Sequence, residues 1–290
     1  MKKIVLHIGS HKTGSTSIQN IMADNYNVLV DSGVDYLKEL CIWGVAHHSL
    51  GWCMQNDFVS VQQWDKRFSK EKGVILDFVD VIKKSDQNKI LISTETLFPI
   101  TDYSKLKYFH SLLKYDYDFE VVVYLREQSS FLYSWYSELV TAWYAKNTLP
   151  FDLFVEQCQY PVNYCEVLEK WGDIFGEDSV RVFSFKESVK GNGLVEHFFS
   201  NVLPEVPLER IVYDSAFFNV SLVPEAIEIV REYNKRGVSD EERKNKIEEL
   251  LNLKNKEKSQ VVIATQNALK KKYSLINKEL LDRYGVNIDG

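Results

Sequence analysis

The sequence predicts an α/β protein with a central, mostly parallel sheet flanked by helices, a capping insertion and a helical C-terminal region. Three observations carry that expectation. Short apolar runs (KIVLHI, KILIS, EVVVYL and VRVFSF) lack the polar alternation of a half-exposed strand, as expected for strands covered on both faces. Stretches of helical spacing separate them. The first run passes directly into a glycine-bearing loop that a helix follows.

In chain order, strands are expected at Lys3–Ile8, Lys89–Ser93, Glu120–Leu125 and Val180–Phe185, and the three consecutive valines of the third make it the clearest. Helical spacing covers Ser15–Leu29, Tyr103–Lys114, Ser129–Ala145, Asn163–Phe175 and Gly193–Ser200. Residues 31–88, with Trp43, Trp52, Trp64 and the pair His47-His48, show no clean periodicity and read as an insertion that caps the functional edge of the sheet. From Pro224 to residue 290 the chain is helical and charge-rich, and Ser239 with Glu242 forms a capping-box signature. The run Lys270-Lys271-Lys272 reads as a solvated helix face. No repeat, low-complexity tract or linker interrupts residues 1–290, so a single domain is expected, large enough to bury a core without disulfides or metals.

Composition narrows the function. Lys and Arg total 35 against 41 Asp and Glu, a formal net charge of −6, which argues against a nucleic-acid binder. No apolar run reaches the length of a membrane span, leaving room only for peripheral membrane contact, and the N-terminal residues do not resemble a signal peptide. Cys41, Cys53, Cys158 and Cys165 form no CxxC pair and no metal-ligand cluster, so reduced thiols in a cytoplasmic protein are expected.

The most informative stretch is HIGSHKTGSTSIQ, residues 7–19. A strand, a loop with Gly9 and Gly14, and a helix opening on Ser15, Thr16 and Ser17 make an anion cradle, because first-turn amides are unpaired and glycine admits a phosphate to the backbone. The Gly9-x4-Gly14 spacing matches the nucleotide-binding P-loop, but Ser15 stands where that motif requires lysine, and the lysine lies within the loop at Lys12. No strand end offers the Asp that a kinase or ATPase uses to hold magnesium. A sulfuryl group carries less charge than a phosphoryl group, so Lys12 and backbone amides suffice for it without metal.

These residues resemble the 5′-phosphosulfate loop of the sulfotransferases that use 3′-phosphoadenosine 5′-phosphosulfate, particularly the bacterial enzymes acting on carbohydrates. The resemblance implies a P-loop-type α/β fold, with Lys12, Thr13, Gly14, Ser15, Thr16 and Ser17 holding the phosphosulfate and Lys12 also stabilising the leaving phosphate oxygen. It further implies that Arg126 and Ser134, in YLREQSSFLYSWY, bind the 3′-phosphate. The family often has proline two residues after that arginine, where this chain has Gln128. It extends more weakly to Val180–Phe199 and to FFNVSL at 217–222. The product nucleotide would be adenosine 3′,5′-bisphosphate, and the acceptor a hydroxyl of a glycan, glycolipid or similar molecule.

Transfer to a hydroxyl needs a base within reach of it. Glu95, after KILIS, and His48, in the insertion, stand level as candidates, with His47 behind them and His7 read as structural. Trp43, Trp52, Trp135, Tyr136, Trp143 and Tyr144 could stack on sugar rings, although core packing accounts for most of them. A P-loop small-molecule kinase and a nucleotide-binding scaffold without catalysis are the alternative readings.

Overall fold

A computed structural model describes residues 1–67, 71–213, 222–254 and 257–289. The FFNVSL segment, apart from Leu222, lies outside the described residues. Five strands form one parallel sheet: β1 (Lys2–His7), β2 (Val34–Asp35), β3 (Lys89–Ser93), β4 (Tyr117–Leu125) and β5 (Val180–Ser184), in the order β2-β3-β1-β4-β5. Helices α1 (Ser15–Asp24) and α2 (Tyr26–Asp31) follow β1; α3 (His48–Met54), α4 (Phe58–Trp64) and α5 (Glu71–Lys84) follow β2; α6 (Ser104–Ser111) joins β3 to β4. After β4 come α7 (Gln128–Thr141), α8 (Phe151–Gln157) and α9 (Tyr164–Phe175). After β5 come α10 (Phe185–Ser188), α11 (Leu194–Val202), α12 (Pro224–Arg236), α13 (Asp240–Leu250) and α14 (Gln260–Tyr284).

The chain divides into two compact units. The first (Met1–Arg126, Asn163–Phe217 and Lys278–Gly290) contains the sheet. On one sheet face Val5, Leu91, Val122 and Tyr124 pack with Ile18 and Met22 of α1 and with Phe198, Phe199 and Val202 of α11. On β4 and β5 packs α9, whose Leu168 and Trp171 are fully buried. Burying each such side chain is worth about 1.5–3 kcal/mol, which is why the apolar runs define the sheet. The second unit (Glu127–Val162 and Phe218–Asn277) is helical in its described residues, with a core of its own that includes Phe131, Tyr136, Phe154, Ile227 and Leu269.

Several local readings differ from the structure: β4 starts at Tyr117 rather than Glu120, the helix expected over Tyr103–Lys114 spans Ser104–Ser111, and three further differences have evident causes. The helix expected over Ser15–Leu29 is two helices, because the Asn25 side chain donates to Ile21 O and Val212 O and ends α1 there. The helix expected over Ser129–Ala145 runs from Gln128 to Thr141, started by Glu127, whose carboxylate accepts from the Ser129 and Ser130 amides. Within residues 31–88, Val34 and Asp35 join the sheet as its edge strand; two residues are too few to show a period. As expected, Ser239 caps α13 by accepting from the Glu242 amide, and Lys270, Lys271 and Lys272 are exposed.

Strand order places the site. From β1 the chain goes to β2 and β3 on one side, then crosses to β4 and β5 on the other, so the topological switch lies between β1 and β4. Sheets of this kind bind ligands outside the carboxyl ends of the strands at that switch. His7, the last residue of β1, pairs with Ser93 and Val122, while β4 continues to Leu125. The loop after β1 therefore runs beside the end of β4.

Candidate active site

That loop is stitched to β4. Ile8 N–H donates to Val122 O at 3.0 Å, Ser10 N–H to Tyr124 O at 2.9 Å, and Tyr124 N–H to Gly9 O at 2.7 Å. The Thr13 hydroxyl closes the turn on Ser10 O at 2.6 Å. Gly9 has φ +97°, and a Cβ there would lie 2.7 Å from Glu95 Cβ and 2.9 Å from its Cα, so only glycine lets the loop approach the end of β3 this closely. Gly14, with φ +75° and ψ 20°, precedes α1, and no side chain caps that helix. The first helical bonds run from Ser17 and Ile18 N–H to Gly14 O, so the Ser15 and Thr16 amides come before them. Orphan donors at the positive end of a helix, beside a glycine, are a cradle for an anion. Thr13 and Ser15 are buried, Ser17 is half-buried and Thr16 is exposed.

Lys12 adopts φ +61°, unusual for a residue with a Cβ, and its carbonyl accepts from Arg126 Nη1 at 3.4 Å. Arg126 is half-buried just beyond β4, with its guanidinium 5.6 Å from the centre of the Phe185 ring and its own carbonyl accepting from the Tyr164 hydroxyl at 2.8 Å. The neighbouring carboxylates are engaged elsewhere: Glu120 with Lys3 and Arg181, and Glu127 with the start of α7. The structure thus brings Lys12, the α1 amides and Arg126 to one corner of the sheet. Ser134 lies on α7, in the second unit, and is half-buried.

The three base candidates meet at the end of β3 but are not equivalent. His47 is fully buried. Its Nε2 lies 2.9 Å from Tyr36 O, which can only accept, so that nitrogen carries the proton and bare Nδ1 accepts from Ser93 N–H at 3.1 Å. Burial holds its pKa down at about 4, despite hydrogen bonds to backbone that act the other way. Sealed and doubly bonded, His47 pins the insertion to the sheet, with both ring nitrogens engaged.

His48 opens α3 and is half-buried. Its Nδ1 lies 2.9 Å from Thr94 Oγ1, which lies 2.6 Å from Thr96 Oγ1. When Nδ1–H donates to Thr94 and Thr94 donates onward to Thr96, Nε2 is bare, and no group among the described residues hydrogen-bonds it. This is the arrangement a proton acceptor needs.

Glu95 is half-buried and accepts from Gln19 Nε2 at 2.8 Å. Burial alone would raise its pKa, but the imidazoles of His48 and His11 and the Gln19 bond outweigh burial and hold it at about 2. It is therefore a carboxylate at neutral pH, and one with little proton affinity. His7 is fully buried, packs edge-on against Tyr124 and Phe198, bonds Ser93 Oγ through Nδ1 at 2.8 Å, and is held by burial at about 4. Thr94 and Gln19 carried no recognisable signal in the sequence, because their roles arise from distant partners, His48 lying 46 positions from Thr94 and Glu95 76 from Gln19.

Fold and site define a parallel α/β protein with an uncapped, glycine-flanked helix start at its topological switch, an arginine bonded to the loop before it, and at the end of β3 a histidine bonded to Thr94, which bonds Thr96. Among the described residues no group of three or more His, Cys, Asp or Glu side chains could hold a metal ion, and no helix is long and apolar enough to cross a membrane. No family model matches the chain, and no curated protein matches it. Among solved structures, a sulfotransferase from Alicyclobacillus acidocaldarius aligns with TM-score 0.41 and 14% identity over 88% of this chain and 98% of its own. A structure of the PezAT chromosomal toxin-antitoxin system of Streptococcus pneumoniae aligns with TM-score 0.36 and 14% identity over 93% of this chain and 87% of its own.

Proposed function

We propose that the protein is a cytoplasmic sulfotransferase that moves a sulfuryl group from 3′-phosphoadenosine 5′-phosphosulfate to a hydroxyl of a glycan or glycolipid. One observation carries the reading: an uncapped helix start behind Gly14, with a lysine inside the loop rather than at position 15, braced by Arg126 at the switch between β1 and β4. Gly14 suits the turn before that helix start: its φ is +75°, and a Cβ there would lie 2.3 Å from Leu194 Cδ2. The bound nucleotide supplies the sulfuryl group. The amides of Ser15 and Thr16, with the hydroxyls of Thr13, Ser15, Thr16 and Ser17, hold the 5′ end. Lys12 stabilises negative charge on the leaving phosphate oxygen. Arg126 offers a planar fork to the 3′-phosphate, and the resemblance assigns Ser134 to the same group. His48 Nε2 takes the acceptor's proton, its tautomer held by Thr94, while the Glu95 carboxylate orients Gln19.

Calorimetry tests the reading. Adenosine 3′,5′-bisphosphate should bind without metal and much more tightly than AMP, and ATP with magnesium should bind weakly. Equal affinity for AMP and the bisphosphate would sink the 3′-phosphate assignment, and preference for magnesium–ATP would favour a kinase.

A further inference from the structure

Two tryptophans of the insertion, Trp43 and Trp52, pack on His48, and a third, Trp64, packs on Trp43. The Trp43 ring lies 5.7 Å from His48, 6.1 Å from Trp52 and 5.6 Å from Trp64, each contact edge-on, and Trp52 lies 5.4 Å from His48 at a tilt of 34°. Indoles rarely remain in water without reason, yet Trp43 is 62% exposed and Trp64 40%. Trp43 is also held at φ +52°, a conformation that costs a residue with a Cβ about 1–2 kcal/mol. None of the three indole N–H groups donates a hydrogen bond within the described chain, and neither does His48 Nε2.

The cluster and the proton relay share one residue. His48 packs on Trp43 and Trp52 with its ring and bonds Thr94 through Nδ1, so a hydroxyl brought to Nε2 belongs to a molecule lying against those indoles. Aromatic faces set at steep angles, edged by four unused nitrogens, suit a ligand with apolar C–H faces and several hydroxyls around its rim. A hydrocarbon would cover those nitrogens without replacing their water, which is costly. A phenol brings a flat face but a single hydroxyl. The ligand that satisfies both demands is a neutral pyranose ring.

We propose that Trp43, Trp52 and Trp64 form the acceptor platform and that it takes an uncharged pyranoside, stacked on indole with one hydroxyl at His48 Nε2. This deepens the sulfotransferase reading and rests on it for the identity of the base, but its test does not require turnover. The full-length chain with ¹⁵N-labelled tryptophan is titrated with methyl β-D-glucopyranoside, cellobiose and, separately, p-cresol, while the indole N–H signals are followed by NMR and assigned with single Trp→Phe variants. The sugars should shift the Trp43, Trp52 and Trp64 signals and leave Trp171, buried in the first unit, unmoved. Trp43→Gly removes the ring and the strain together, so it should keep the melting temperature and bisphosphate affinity while weakening sugar binding at least tenfold. Shifts caused by p-cresol but not by sugars, sugar affinity unchanged in Trp43→Gly, or normal bisphosphate binding with no sugar-induced shift would each overturn the platform. Sugar-induced shifts in a chain that fails to bind the bisphosphate would support the platform and refute the sulfotransferase reading instead.

Discussion

Replacing Glu95 by glutamine separates the two ways this residue could act. The carboxyl falls from its ordinary 4.5 to about 2 because the pull of His48, His11 and Gln19 outweighs burial. At about 1.4 kcal/mol per tenfold change in proton affinity, the ionised form gains about 3 kcal/mol in the fold. A depressed carboxyl stabilises the protein above its unfolded pKa and loses that contribution as pH falls through the folded value. The Glu95 contribution is therefore complete near pH 5 and declines towards pH 2. Glu95→Gln keeps an acceptor for Gln19 but not the charge, so it should lower unfolding free energy by up to about 3 kcal/mol near pH 5, where charged imidazoles pull on the carboxylate, by about 1 kcal/mol less at pH 3.5, and by less at pH 7, where His48 with a bare Nε2 exerts no such pull. Urea unfolding of both proteins at pH 7, 5 and 3.5 reads this directly. A penalty that does not change with pH, or a Glu95 carboxyl seen by ¹³C NMR to titrate near 4.5, would refute the electrostatic account. Kinetics supplies the second axis: a carboxylate with so little proton affinity is a poor base, so turnover should fall only modestly. A loss of about 10²–10⁴-fold with unchanged bisphosphate affinity would make Glu95 the base and overturn the assignment to His48.

Lys12→Ala should depress turnover more than nucleotide affinity and Arg126→Ala the reverse, because one charge answers a developing negative charge and the other a standing phosphate; identical profiles would contradict this division. Thr94→Val keeps the shape beside His48 but frees its tautomer, so turnover should fall about tenfold, equivalent to about 1.4 kcal/mol, with binding unchanged and recovery in Thr94→Ser. In the second unit, buried Arg243 donates to the carbonyls of Val140 and Thr141 at 2.7 Å and to Asn234 Oδ1 at 2.6 Å. Arg243→Leu leaves these acceptors unpaired and should cost about 2–4 kcal/mol in chemical denaturation. A loss under 1 kcal/mol would show that water replaces the guanidinium.

The sequence by itself determined the elements whose evidence is local. KILIS became β3 at the expected residues, Val180 opens β5 as read, and a loop with Gly9 and Gly14, both at positive φ, leads from β1 into the helix that opens at Ser15. Each is legible because an apolar run, or a glycine before a helix, is written in adjacent residues. What only the tertiary structure decided concerns neighbours in sequence that differ in surroundings. His47 and His48 have nearly the same local context, but one is sealed between Tyr36 and Ser93 while the other keeps a nitrogen free. Along the chain Glu95 stands level with His48 as a base, whereas in the fold Gln19, from a helix 76 residues earlier, bonds its carboxylate and two imidazoles pull its pKa down. Proton affinity depends on burial and on charges within a few ångströms. Those distances are set by how the insertion docks on the ends of the strands, and no spacing along the chain encodes them.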